Sequence, residues 1–241
     1  MPDDMDISIV IPAYNEERRI IPTLEKVIDF VEGRRHKSFE ILVVDDGSSD
    51  GTAAVVERFA GRAPGLKLLR NPVNQGKGDT VRKGMLAARG RTVYFTDADL
   101  STPIEELDRF LAEIQRHDIV IGSRAIDRAN IMIHEPFYRE VLGRIFCAFV
   151  RFACVPGFVD TQCGAKMFTR EAAQRIFPLL KISRFAFDVE ILFLAHRFGY
   201  RVKELPVKWY YSAATTVRPF RDGPKMLRDI LSIRWSHRNT R

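Results

Sequence analysis

Short β-branched runs alternate with longer stretches of helical period along most of this chain. Ile7–Ile11 reads as a buried strand stopped by Pro12, and Phe39–Val44 and Leu66–Leu69 repeat the pattern. Between the first two, Asn15-Glu16-Glu17 opens a predicted helix with Ile20, Leu24, Val27, Ile28 and Val31 on one face. A second helix is predicted over Ala53–Phe59. The turn Asn74-Gln75-Gly76-Lys77-Gly78 opens a third over Asp79–Ala88, followed by a strand at Val93, a helix near Ile104–Gln115 and a strand over Asp118–Ile121. This alternation implies an α/β fold: a mainly parallel sheet covered on both faces, with its ligand crevice at the carboxyl ends of the strands.

After Arg124 the rhythm changes. Phe137–Ala153 carries an apolar stripe of Tyr138, Leu142, Ile145, Phe149 and Phe152, with Arg144 and Arg151 on another face. A polar loop over Val159–Gly164 leads to a strand at Lys166-Met167-Phe168. Helices are predicted over Arg170–Phe177 and Asp188–Phe198, then an edge strand or strand pair within Tyr200–Val207. Lys225–Trp235 closes the chain as an amphipathic helix with Met226, Leu227, Ile230, Leu231 and Trp235 on one face.

Four polar clusters fall at the predicted strand ends: Tyr14 with Glu16, Asp45 with Asp46, Asp97 with Asp99, and Gly122-Ser123-Arg124. One acid there would be unremarkable, but four clusters along one edge read as a site. Asp97 and Asp99 suit a divalent cation holding a diphosphate, because hard carboxylate oxygens match Mg²⁺ or Mn²⁺. The local alternative is a turn with a helix cap before Thr102-Pro103. Asp46 can accept from a base N–H and Tyr14 can pack on a base, against turn chemistry in Asp46-Gly47-Ser48. Gly76-x-Gly78 at a helix start can hold a phosphate oxygen, although it lacks Walker spacing. Lys77 is open to either phosphate contact or solvent.

Charge and composition narrow the classes. The 241 residues, 46% hydrophobic and 29% charged, suit one globular domain with or without an appendage. We divide them as a main domain over 1–217 and a basic amphipathic extension over 218–241. That extension holds seven Arg or Lys against two Asp, a local balance of +5 within a chain total of +7. Nucleic acid, anionic lipid or a phosphorylated ligand each fit such a tail. No segment is apolar for long enough to span a membrane, and the acidic start lacks signal-peptide character. Cys147, Cys154 and Cys163 lack metal-site spacing and read as reduced thiols in a cytoplasmic protein.

Together the motifs Val10-Ile-Pro-Ala-Tyr-Asn-Glu16, Val43-Val-Asp-Asp-Gly-Ser-Ser-Asp-Gly-Thr52, Asn74-x-Gly-Lys-Gly78, Asp97-Ala-Asp-Leu-Ser101, Gly122-Ser-Arg124 and Asp160-Thr-Gln-Cys-Gly164 resemble family 2 inverting glycosyltransferases. Within that family they are similar to the branch that glycosylates dolichyl and other polyprenyl phosphates. The resemblance implies a GT-A fold and transfer of a hexose from a nucleotide sugar to a polyprenyl phosphate. It assigns Pro12, Tyr14, Glu16, Val44 and Asp46 to the nucleoside. Asp97, Ala98 and Asp99 go to the sugar diphosphate and its Mg²⁺ or Mn²⁺, and Arg124 goes to the phosphates.

Ser101 stands where the mannosyl branch typically has Gln, and Asp160-Thr-Gln-Cys-Gly164 is closer to the glucosyl branch. UDP-glucose is therefore favoured over GDP-mannose. Asp160 and Gln162 are expected at the sugar pocket, with loop anchoring as the alternative. Arg218 is the candidate cation where many relatives carry a late Ser-Lys pair.

An anionic lipid phosphate needs no strong general base, so catalysis rests on positioning and on stabilising the leaving diphosphate. The expected partners are a nucleotide sugar, a polyprenyl phosphate and a membrane surface, and not nucleic acid. The expected location is peripheral on the cytoplasmic face, held by Phe137–Phe152 and the final helix. The competing readings are transfer to a sugar hydroxyl, with Asp188 or Glu190 as base, and a non-catalytic nucleotide-sugar binder. A response-regulator-like switch is also open, but it leaves everything after Arg124 unexplained.

Overall fold

The structure is a computed structural model that describes residues 5–33, 38–61, 63–133, 137–211 and 219–240. Seven strands form one sheet: β1 (Ile7–Ala13), β2 (Phe39–Asp45), β3 (Leu66–Arg70), β4 (Thr92–Phe95), β5 (Ile119–Ser123), β7 (Lys166–Thr169) and β8 (Val202–Pro206), in the order β3-β2-β1-β4-β7-β5-β8. All pairings are parallel except those of β7, which runs antiparallel between β4 and β5. A separate two-stranded ribbon pairs β6 (Ile131–Ile133) with β9 (Trp209–Tyr210). These two strands are too short to show a period in the sequence.

Successive β1 residues divide between the two layers, as the period of two requires. Ile9 and Ile11 join one buried layer and Val10 the other. The Ile9 layer lies under α1 (Ile20–Gly33), α2 (Thr52–Ala60) and α4 (Leu107–Glu113). The Val10 layer lies under α3 (Lys77–Ala87), α6 (Arg170–Ile176) and α7 (Phe187–Arg197). It also takes in buried residues of α5 (Phe137–Ala153) and α8 (Pro219–Ser236).

Two differences from the sequence reading bear on the site. The first helix begins at Ile20 rather than at Asn15. The N–H groups of Asn15, Glu16 and Glu17 go to Ser48 Oγ, Thr52 Oγ1 and Asp50 Oδ2, so the loops after β1 and β2 are stitched together first. Asn15 adopts φ +56°, which ends the strand in a left-handed turn. The second difference is the direction of β7. Because it is antiparallel, its first residue, Lys166, pairs with Phe95 and Ile121 at the ends of β4 and β5. The loop 160–165 therefore enters at the same edge as the other strand-end clusters.

The segment read as an extension forms α8, which packs on α5 and α7 with Ile230, Ile233 and His237 buried. In α5, Phe146 and Phe149 pack on the core while Tyr138, Leu142, Ile145 and Phe152 are exposed.

Candidate active site

The end of β4 holds the centre of the site. Lys77, the first residue of α3, places Nζ 2.6 Å from Asp97 Oδ1. Burial works against the charge of Asp97, but Lys77, Lys166 and Arg124 outweigh it and hold the carboxyl below the usual carboxylate range. On its other side Asp97 lies against Gly164, where a Cβ would come within 1.9 Å of Asp97 Oδ2. Asp99 Oδ1 accepts from Ser101 N at 3.0 Å across a turn in which Leu100 has φ +46°. Ala98 is buried, and its carbonyl accepts from Thr23 Oγ1 of α1 at 2.6 Å.

The glycine turn before α3 is fixed by Asp46. This buried carboxylate accepts from Gln75 N, Gly76 N and Asn71 Nδ2 at 2.8, 2.9 and 2.9 Å. Three protein donors engage Asp46, so it organises the turn that carries Lys77. The expected acceptance from a base competes with those bonds. Tyr14 is exposed at the mouth of this edge and Pro12 is half-buried at the end of β1. Glu16 holds Arg19 through two 2.7 Å bonds, and burial leads the forces that raise its carboxyl. Val44 is fully buried beneath α3, where it faces Gly84 alongside Val10, so its side chain belongs to the core.

Arg124 follows β5 and forms a two-pronged ion pair with buried Asp160, Nε to Oδ2 at 2.7 Å and Nη2 to Oδ1 at 2.9 Å. The N–H groups of Arg124 and Gln162 also donate to Asp160. Burial opposes ionisation of Asp160, yet the guanidinium and these donors hold its carboxyl at about 2. Asp160 thus positions Arg124, which fits loop anchoring better than sugar contact. The guanidinium lies 5.4 Å from the Trp209 ring centroid, a cation–π distance. Gln162 Nε2 is buried without a partner among the described residues, an orphan donor of the kind a bound hydroxyl satisfies. Arg218 lies outside the described residues.

Lys166, Trp209, Asn71 and Gly164 are site residues that the motif reading did not single out. Lys166 is wholly buried and donates to Asp188 Oδ1 at 2.6 Å and to Cys163 O. A lysine inside an apolar strand, between Ala165 and Met167, was the visible signal. Burial raises the Asp188 carboxyl, with Lys166 and Lys77 opposing the rise.

Among the described residues no group of three or more His, Cys, Asp or Glu forms a closed metal site. Asp97 and Asp99 nevertheless fit a divalent cation of the Mg²⁺ type, which takes one or two carboxylates and completes its shell with substrate phosphate and water.

Comparison with known proteins bears on the family and the fold. Residues 8–177 match the family model described as Glycosyl transferase family 2. The chain is 38% identical to a dolichyl-phosphate beta-glucosyltransferase of Dictyostelium discoideum, over 98% of this chain and 76% of that protein. It is 34% identical to the Homo sapiens protein of the same description, over 95% and 74%. Among solved structures it resembles glucosyl-3-phosphoglycerate synthase from Mycobacterium tuberculosis in complex with Mn²⁺, UDP and glucosyl-3-phosphoglycerate. That likeness has a TM-score of 0.67 at 21% identity, covering 95% of this chain and 78% of that one. It shows the GT-A fold.

Proposed function

This chain belongs to glycosyl transferase family 2, and we propose that it transfers glucose from UDP-glucose to a polyprenyl phosphate of the dolichyl type, with inversion at the anomeric carbon. The observation that carries this reading is the Lys77–Asp97 pair beside Asp99, with the braced Arg124 near enough for its charge to act on Asp97. Cations and carboxylates gathered at one strand edge suit a sugar diphosphate on one side and a phosphate acceptor on the other. The relatives' dolichyl-phosphate glucosyltransferase descriptions support the acceptor and the sugar, and the UDP and Mn²⁺ of the solved synthase support the donor and a divalent cation.

Asp99 and Asp97 would hold Mg²⁺ or Mn²⁺, which when bound neutralises charge on the departing diphosphate. Tyr14 presents a ring to the base, while Asp46 fixes the turn that carries Lys77. Lys77 supplies a cation to the diphosphate. Gln162 offers its orphan Nε2 to a sugar hydroxyl. Arg124, held in one orientation by Asp160 and Trp209, fixes the acceptor phosphate behind the anomeric carbon. The phosphate oxygen is already anionic, so no proton need be removed. Asp188 and Glu190, the carboxylates a hydroxyl acceptor would call on, are tied to buried Lys166 and His237, which supports the phosphate acceptor.

A lipid acceptor calls for action at a membrane surface. Phe152 is 92% exposed and Trp235 75%, and with Ile145 and Leu231 they form apolar outer sides on α5 and α8. Arg151, Arg228 and Arg234 on the same two helices suit anionic headgroups. No helix among the described residues is long and apolar enough to cross a bilayer.

The test is a transfer assay that offers UDP-glucose, GDP-mannose and UDP-N-acetylglucosamine with dolichyl and undecaprenyl phosphate, in Mg²⁺ or Mn²⁺. Glucose transfer from UDP-glucose to lipid phosphate supports the reading. A preference for GDP-mannose, or for a sugar hydroxyl acceptor, overturns it.

A further inference from the structure

One side of α8 faces outward with Leu231 and Trp235, and the other is buried with Ile230 and Ile233, as is His237 in the turn that follows the helix. His237 is fully buried and its Nε2 lies 2.6 Å from Glu190 Oε1 of α7. An ionised carboxylate only accepts, so Nε2 is the donor. Glu190 is itself fully buried, and its remaining contacts are backbone N–H groups: Lys181 at 3.0 and 3.1 Å and Ile182 at 2.9 Å. Each of these donors satisfies an oxygen of the buried carboxyl group that water cannot reach. The α8 helix is tied to the same region by Lys181 Nζ on Ser236 O and by Arg197 on the Arg238 and Thr240 carbonyls.

The strap 181–183 also touches the donor side. Ser183 O accepts from Gly78 N at 2.8 Å and from Asp79 N at 3.3 Å. The approach leaves no room for side chains. A Cβ at Gly76, which has φ +101°, would lie 2.5 Å from Ser183 O, and one at Gly78 would lie 2.4 Å from Ile182 O. The strap is thus the floor of the glycine turn, and Lys77 sits between those two glycines.

We propose that His237 is a positioning residue for the donor site: from the turn that ends α8 it holds Glu190, Glu190 holds the 181–182 backbone, and Ser183 then fixes the glycine turn from which Lys77 reaches Asp97. The proposal rests on the reading of that turn as the diphosphate end. It gives the C-terminal helix a part in nucleotide binding apart from any contact with lipid.

The test compares His237→Gln with His237→Asn in the full chain. Both replace the imidazole by an amide, but only glutamine carries its donor as far out as Nε2. Native-state amide hydrogen exchange is read at Gly78, Asp79, Lys181 and Ile182, and UDP binding with Mn²⁺ is read by calorimetry. The asparagine variant is expected to exchange about ten-fold faster at these four amides and to bind UDP about ten-fold more weakly, the order for one lost hydrogen bond to a buried charge. The glutamine variant is expected to keep wild-type values.

Ile233→Ala, on the same buried side, is expected to lower the melting temperature without selective exchange at those amides. Unchanged exchange in the asparagine variant overturns the proposal, as does equal exchange in Ile233→Ala. Exchange is read without nucleotide, so failure of this brace is distinguishable from failure of the donor reading, which shows as absence of UDP binding to the wild-type chain.

Discussion

Lys77 Nζ and Asp97 Oδ1, 2.6 Å apart, join the start of α3 to the end of β4 and set the charge balance of the donor edge. Each side chain is about one-third exposed or less, so the pair is partly screened but not solvated away. Lys77→Met is expected to weaken UDP binding and to lower kcat/KM by about a hundred-fold, with the larger share in transition-state charge stabilisation. Initial rates with UDP-glucose check this. A change in KM alone would reduce Lys77 to a ground-state contact.

Gly164 is the glycine at which an added methyl group would land on the Asp97 carboxylate. Gly164→Ala should displace Asp97 while leaving the sheet intact. We expect transfer to fall by about a hundred-fold, with a melting temperature within a few degrees of wild type. Parallel thermal scans and rates decide it, since a melting point that collapses with activity would make Gly164 a packing residue.

Asp160 is held at about 2 against its ordinary 3.8, so the folded state binds fewer protons between those values than the unfolded one. Its contribution, on the order of 2 kcal/mol, is present above pH 3.8 and is lost as pH falls toward 2. Asp160→Asn should flatten this part of the pH–stability curve and release Arg124, lowering transfer. Arg124→Ala should do more, because it leaves a buried carboxylate unpaired at a cost of about 3–5 kcal/mol. Denaturant titrations from pH 2 to 5 measure both.

Among the described residues Asp99 makes one hydrogen bond, a turn bond from Ser101 N. Its replacement by alanine should therefore cost only about 1 kcal/mol of stability. We expect it to remove Mn²⁺ binding in the presence of UDP, seen by calorimetry, along with metal-dependent transfer. Retained metal binding would sink the assignment.

The exposed residues of α5 and α8 make a separable prediction. Phe152→Ser with Trp235→Ser should reduce sedimentation with anionic liposomes by about ten-fold or more, leaving UDP affinity unchanged because neither side chain belongs to the donor edge. Wild-type protein that fails to pellet with such liposomes would falsify the membrane reading.

Much of this was legible in the linear pattern. The β-branched runs, the glycine turn, and the acids after Val44 and Phe95 mark strands and strand ends locally, and the helices α2, α3, α5, α6 and α7 lie close to their predicted positions, while α8 begins at Pro219 rather than at Lys225. Residues such as Asp97 and Lys77 stood out because charge at a strand end or helix start is a local signal. Their partnership was not a local fact. It follows from the order β1-β4-β7, which brings α3 over the edge where β4 ends.

The sequence by itself determined the alternation of elements, the polar strand ends and the resemblance to one glycosyltransferase family, because periodicity and motif spacing are properties of neighbours along the chain. Only the tertiary structure decided that β7 runs backwards and carries Lys166 into the site, that Asp160 serves Arg124, and that the last helix reaches Glu190 through His237. Those relations join residues far apart in sequence. They depend on which buried charge finds which partner once water has been excluded.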